Sequence, residues 1–127
     1  TLHAMMLGHS VPMYCTSTGW SVLSQMDEDA ARDVLARSDR MKFTEHTLTD
    51  PDAILEKTRQ VKQQGYAVAL EQLMPGEIAI GAAIVNAQGV PIGAVTITAM
   101  LADWPEEDFV RAMRPSLMQA VNMLGRG

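Results

Sequence analysis

The stretch Gly65–Thr98, GYAVALEQLMPGEIAIGAAIVNAQGVPIGAVTIT, limits what this chain can fold into more than any other. It predicts three short strands. In the first, over Tyr66 to Leu73, the residues Tyr66, Val68 and Leu70 share a face. In the second, Ile78, Ile80, Ala82 and Ile84 alternate with Ala79, Gly81, Ala83 and Val85. In the third, Ile92, Ala94, Thr96 and Thr98 alternate with Gly93, Val95, Ile97 and Ala99. Asn86-Ala87-Gln88-Gly89 is too short to join the last two by anything but an antiparallel hairpin. Met74-Pro75-Gly76 turns the chain before them. Small side chains leave room above a sheet, for a packed helix or for a ligand. Register decides whether a bulky face meets a small one, and alternation alone does not fix it.

Helices surround this stretch. Thr16 or Ser17 is a suitable N-cap for a short helix through Val22, Leu23 and Met26, since a hydroxyl can accept from first-turn amides. Asp27-Glu28-Asp29 starts a second, with Ala30, Ala31, Val34 and Leu35 as its apolar stripe. Asp50-Pro51 opens a third, over Asp52 to Gln64, and Gly65 closes it. Asp103 or Trp104 is expected to cap a last helix whose stripe is Phe109 or Val110, Met113, Leu117, Val121 and Leu124. Pro115 should bend that helix or start a new segment. Between the second and third helices, Ser38 to Thr49 reads as a loop with one edge strand at Lys42 to Thr44. Thr1 to Tyr14 reads as a strand, a turn at Gly8-His9-Ser10 and an entry segment; that strand is expected to have lost an upstream neighbour. The fold class is α+β, with helices packed on a mixed or antiparallel sheet.

At 127 residues the chain suits one domain, and its first residue, Thr1, suggests an excerpt from a longer protein. A net charge of −5 argues against nucleic-acid binding by these residues, because phosphate contacts need clustered cations. Distribution is sharper than total. All ten Lys and Arg fall in Arg32–Lys42, Lys57–Lys62 and Arg111–Arg126, so the predicted strands carry none. No apolar run reaches the length of a membrane span, and a cytoplasmic location is expected. The single cysteine, Cys15, excludes an internal disulfide.

No catalytic set stands out. His3, His9 and His46 lack the helical spacing of paired zinc ligands, so neither a metal nor a cofactor is expected. The default for Cys15 is a small buried thiol; a thiol nucleophile at a helix start is the remote alternative. The ten methionines read first as flexible core filler. Thr16-Ser17-Thr18-Gly19 does stand out at a helix start, where unpaired amides and hydroxyls can seat a carboxylate or carbonyl oxygen. Ordinary capping would need only one of those hydroxyls. Thr96 and Thr98 add two more on one strand face, although Thr is favoured in strands anyway. Together they suggest a small-molecule pocket with neutral donors.

Pro12-Met13-Tyr14-Cys15-Thr16-Ser17-Thr18-Gly19, the acidic helix, Asp50-Pro51, Gly65-Tyr66-Ala67-Val68, Pro75-Gly76 and Ala94-Val95-Thr96-Ile97-Thr98 follow one another in a telling order. In this order and spacing they resemble the effector-binding domain of IclR-family bacterial transcription regulators, over nearly the whole chain from about Leu7. The resemblance implies a GAF-like domain that is N-terminally incomplete here, with a DNA-binding winged helix-turn-helix outside this chain. It implies a dimer or tetramer that binds small organic acids and contacts DNA only through that absent domain. By position it assigns the effector site to Ser17, Thr18, Leu70, Ala79, Thr96 and Thr98, and the helix-start reading adds Thr16 and Gly19 to the candidate set. Three departures make the implied pocket more apolar than the family norm. Ala69-Leu70 stands where an acidic pair is usual, Ile78-Ala79 where Arg-Cys or Arg-Ser is common, and Trp20 where a basic residue follows the glycine. The expected function is ligand sensing; the alternative is an oligomerisation module whose cavity is filled by side chains.

Overall fold

The computed structural model describes residues 12–125. Its elements run α1 (Ser17–Ser24), α2 (Glu28–Arg37), α3 (Pro51–Gln64), β1 (Ala67–Leu70), β2 (Glu77–Val85), β3 (Pro91–Met100) and α4 (Glu106–Leu124). The strand and turn expected before Pro12 lie outside the described residues. Local chemistry explains most boundaries. Asp27 accepts from Asp29 N to start α2, and Asp50 accepts from Ala53 N to start α3. Each such cap is worth about 1 kcal/mol. Gly65 ends α3 at φ 92°, a left-handed position that costs a side chain strain.

The strands form one antiparallel sheet in the order β1-β2-β3. Register sorts side chains by size. Ala67 faces Gly81 and Ala69 faces Ala79, while Gly81 faces Thr96 and Ala79 faces Thr98, so one face of the sheet is small throughout. The other face gathers Val68, Leu70, Ile78, Ile80, Ile84, Val95 and Ile97. Bulky residues thus lie beside bulky ones rather than opposite small ones. The bulky face packs under α4 through Phe109, Leu117 and Val121. The small face belongs to a second core with Tyr14 and Cys15 from the entry segment and Trp20, Leu23, Leu35, Ile54, Leu55 and Val61 from α1, α2 and α3. Because that face is small, α1 can lie close to it.

Three local expectations are corrected. Lys42–Thr44 is not a strand. Thr47 Oγ1 accepts from Phe43 N and Thr44 N, and Thr44 Oγ1 accepts from His46 N, so local side-chain bonds take the amides a ladder would need. Pro105, not Asp103 or Trp104, holds the N-cap position of α4, with no side-chain cap; the amides of both earlier residues turn back to Met100 O. Finally, Pro115 starts no new segment: α4 continues through it as one helix. Pro115 sits on the exposed side, where water can take up the carbonyl its missing N–H leaves free.

Candidate functional site

The start of α1 is built around one hydroxyl. Thr16, in extended conformation, accepts from Gly19 N at 2.9 Å and donates to Pro12 O at 2.6 Å. Its side chain is therefore committed to the turn. Gly19 backs onto Met13 so closely that an added Cβ would lie 2.6 Å from the Met13 carbonyl carbon. The next two side chains reach the sheet. Thr18 Oγ1 lies 2.7 Å from Thr96 Oγ1, and Ser17 Oγ lies 3.5 Å from the same atom. Ser17 and Thr96 are buried. Gly81 makes this approach possible, since a Cβ there would sit 2.8 Å from Ser17 Oγ.

Thr98 and Ala79 continue the same face as a cross-strand pair, and Ala69 lies beside Ala79. Leu70 does not join them. It pairs with Ile78 on the α4 side of the sheet. The residue of β1 that shares the site's face is Ala69, one position earlier, and a strand's period of two accounts for the switch. Gly81 was the other participant missing from the sequence-based set. Only the cross-strand register shows both.

This face offers donors without cations. The first amides of a helix have no intrahelical acceptor, and Ser17 and Thr18 hold the first two positions of α1. The strands carry no Lys or Arg. An anion here would be held by amides and hydroxyls, over a floor of Ala69, Ala79 and Gly81. Among the described residues every buried side-chain nitrogen or oxygen has a hydrogen-bond partner. No group of three His, Cys, Asp or Glu side chains gathers as for a metal among the described residues.

Beside the site, Trp20 is buried, donates from Nε1 to Tyr14 O at 2.7 Å and carries Lys57 Nζ 5.5 Å from its ring centroid. Tyr14 donates its hydroxyl to Met41 O at 2.5 Å. Burial pushes the Cys15 thiol from 9.0 up to about 11, and the Tyr14 phenol, chiefly by burial too, from 10.0 up to about 12. Both groups are held neutral in the fold while the unfolded chain would ionise. The Cys15 contribution is therefore full below about pH 9 and lost as pH rises through about 11, and that of Tyr14 is full below about pH 10 and lost as pH rises through about 12. Urea midpoints should drop across that window, and Cys15→Ala should remove part of the drop. Native Cys15 should resist alkylation at about pH 8 and react once urea unfolds the chain.

A separate open cleft of about 900 Å³ lies along the outer edge of β1, between α3 and α4. Leu70 is the one sequence-predicted site residue that lines it.

The geometry gives an α+β domain with hydroxyls of α1 and β3 gathered on one face of the sheet. Comparison with known proteins identifies which kind. The family model described as "Bacterial transcriptional regulator IclR C-terminal" matches residues 3–125, and the chain belongs to that family. It is a transcription-regulator domain, not an enzyme. The chain is 30% identical over 114 residues to the Pca regulon regulatory protein of Pseudomonas putida, covering 90% of this chain and 39% of that protein. It is 29% identical over 122 residues to the p-hydroxybenzoate hydroxylase transcriptional activator of Acinetobacter baylyi, covering 96% of this chain and 45% of that one. Among solved structures, it superposes with a TM-score of 0.85 on a double mutant of the Acinetobacter PobR inducer-binding domain in complex with 3-hydroxybenzoic acid. That pair is 29% identical over 96% of this chain and 70% of the other. The chain thus spans less than half the length of these curated relatives. Among the described residues no helix is long and apolar enough to cross a membrane.

Proposed function

We propose that this chain is the sensing part of a longer, oligomeric regulator and binds a small organic acid with an apolar body. The carboxylate sits on the amides and hydroxyls of Ser17 and Thr18, within the turn from Thr16 to Gly19, and the body lies over Ala69, Ala79, Thr96 and Thr98. DNA is contacted by a domain outside this chain, whose own charge of −5 suits no phosphate backbone. One observation carries the proposal: two hydroxyls at a helix start converge with a third on β3, across 78 and 79 positions of sequence. Capping needs no such convergence, because Thr16 alone does it. The 3-hydroxybenzoic acid complex of a relative supports the ligand class.

Calorimetry with 3-hydroxybenzoate and a panel of aliphatic and aromatic acids tests the site. Ser17→Leu with Thr18→Leu should weaken binding of any acid that binds by tenfold or more, roughly 1.4 kcal/mol or above. Unchanged affinity in a folded double variant would remove the site from consideration. A second function is favoured by a specific observation. The hydroxyls are already partnered with each other and Gly81 leaves no gap beneath Ser17, as in a module kept for oligomerisation alone. In that case no acid in the panel shifts the melting temperature.

A further inference from the structure

The backbone along the β1 cleft is largely closed by the protein itself. Gln64 Nε2 donates to Tyr66 O at 2.8 Å and Gln72 Nε2 to Leu70 O at 3.2 Å. The loop around His46 covers the next stretch, where Thr44 Oγ1 donates to Glu71 O and Thr47 Oγ1 to Gln72 O. A visiting strand would have to displace these donors. What the cleft leaves without partners is charge. Its α3 wall carries Lys57, and its α4 wall carries Arg111 and Arg114. Among the described residues Lys57 and Arg114 enter no ion pair, and Arg111 makes only a 3.8 Å contact with Asp108.

Two of these cations rest on rings. Lys57 Nζ lies 5.5 Å from the ring centroid of Trp20, and Arg114 Cζ lies 5.8 Å from that of Tyr66; both rings also line the cleft. A ring face attracts a cation but leaves its charge uncancelled. Glu106 and Glu107 line the cleft too, in the first turn of α4, where they complement the helix dipole. They stand about 10–12 Å along the helix axis from Arg114. Three cations against two carboxylates reverse, in this one concavity, the sign of a chain whose net charge is −5. Its volume of about 900 Å³ is that of a small-ligand cleft, and Val68, Leu70 and Val110 give it an apolar lining.

We infer that the β1 cleft is a second small-molecule site, separate from the Ser17–Thr18–Thr96 face, and that it takes an organic dianion with a carboxylate at each end of an apolar body. One carboxylate draws Lys57 off Trp20, the other engages Arg111 and Arg114, and the body lies over Tyr66 and Val68. Charge-assisted bonds of this kind are stronger than those a neutral donor makes. Glu106 and Glu107 repel both carboxylates and so keep the ligand away from the start of α4. A monoacid would satisfy one wall only. It suits the α1 face, which offers hydroxyls and whose strands carry no cation. The two sites therefore differ in the charge they select, and neither depends on the other being filled.

Calorimetric titration of the 127-residue chain with adipate and with terephthalate tests it. At least one of the two should bind, and its dissociation constant should rise by roughly tenfold or more in Lys57→Gln and in Arg114→Gln. Lys57→Arg keeps the charge and should recover most of the affinity. Lys62→Gln, on the same helix but outside the cleft, should change nothing. None of these side chains is buried, so all the variants should keep wild-type circular dichroism. Ser17→Leu with Thr18→Leu should leave dicarboxylate binding intact, and the two cleft variants should leave monoacid binding intact, so each site fails or stands by itself. Absence of binding by both dicarboxylates, an affinity indifferent to Lys57→Gln or Arg114→Gln, or an equal loss in Lys62→Gln would each overturn the inference.

Discussion

Trp20→Ala should lower the unfolding free energy by about 3–5 kcal/mol, a large part of the roughly 5–15 kcal/mol that holds a domain together. Trp20 is 1% exposed, among the most buried of the large side chains, and no neighbour can swing in to fill its volume without leaving another void. Its loss also frees the Tyr14 carbonyl, to which Nε1 donates, and strips Lys57 of its aromatic seat. Urea unfolding followed by circular dichroism would measure the change. Trp20→Phe, which keeps a ring but not the donor, should cost clearly less. Equal losses for the two would show that packing volume is not what Trp20 supplies.

Much of this arrangement could be read from the chain, for reasons that are local. Asp50-Pro51 and Gly65 bracket α3 because a cap, a proline and a left-handed glycine each act within one turn. Asn86 to Gly89 forces the hairpin between β2 and β3 by length alone, and the chemistry at Thr16 and Asp27 marks α1 and α2. What stayed hidden depends on residues distant in sequence. Leu70 and Ala69 are adjacent letters, and only pairing with Ala79 shows which one faces Ser17. Gly81 reads as a small strand residue until Ser17 is seen above it. The β1 cleft draws its walls from α1, the loop at His46, α3, β1 and α4, and no periodicity joins those segments. Lys42–Thr44 has strand-like letters, but its amides had nearer acceptors in Thr44 and Thr47.

Gly19→Ala should be destabilising, although helix propensity alone predicts the opposite. Alanine inside a helix is favoured over glycine by about 1 kcal/mol. Here the added methyl would fall within 2.6 Å of the Met13 carbonyl carbon, and the obstacle is backbone, not a side chain free to rotate. Relief requires moving either α1 or the segment from Pro12 to Cys15. Overpacking of this kind costs about 1–3 kcal/mol and sometimes more, so after the propensity gain a net loss of about 1 kcal/mol or more is expected. The same shift would displace the hydroxyl of Thr16 from Pro12 and Gly19. Denaturant midpoints for Gly19→Ala beside a control such as Thr18→Ala would separate the overlap from simple loss of a hydroxyl. A stabilised Gly19→Ala would mean that the entry segment yields freely.

The small face of the sheet has a mechanical consequence. At Gly81, where an added Cβ would sit 2.8 Å from Ser17 Oγ, α1 comes so close to the sheet that its hydroxyls touch β3. Anything as thick as a methyl group entering there must lift the helix bodily, since the strands below have no side chains to fold away. α1 bears on α3, and α3 carries Gln64 and one wall of the β1 cleft. A wedge at Gly81 would therefore be felt, through α1 and α3, at the far rim of the sheet.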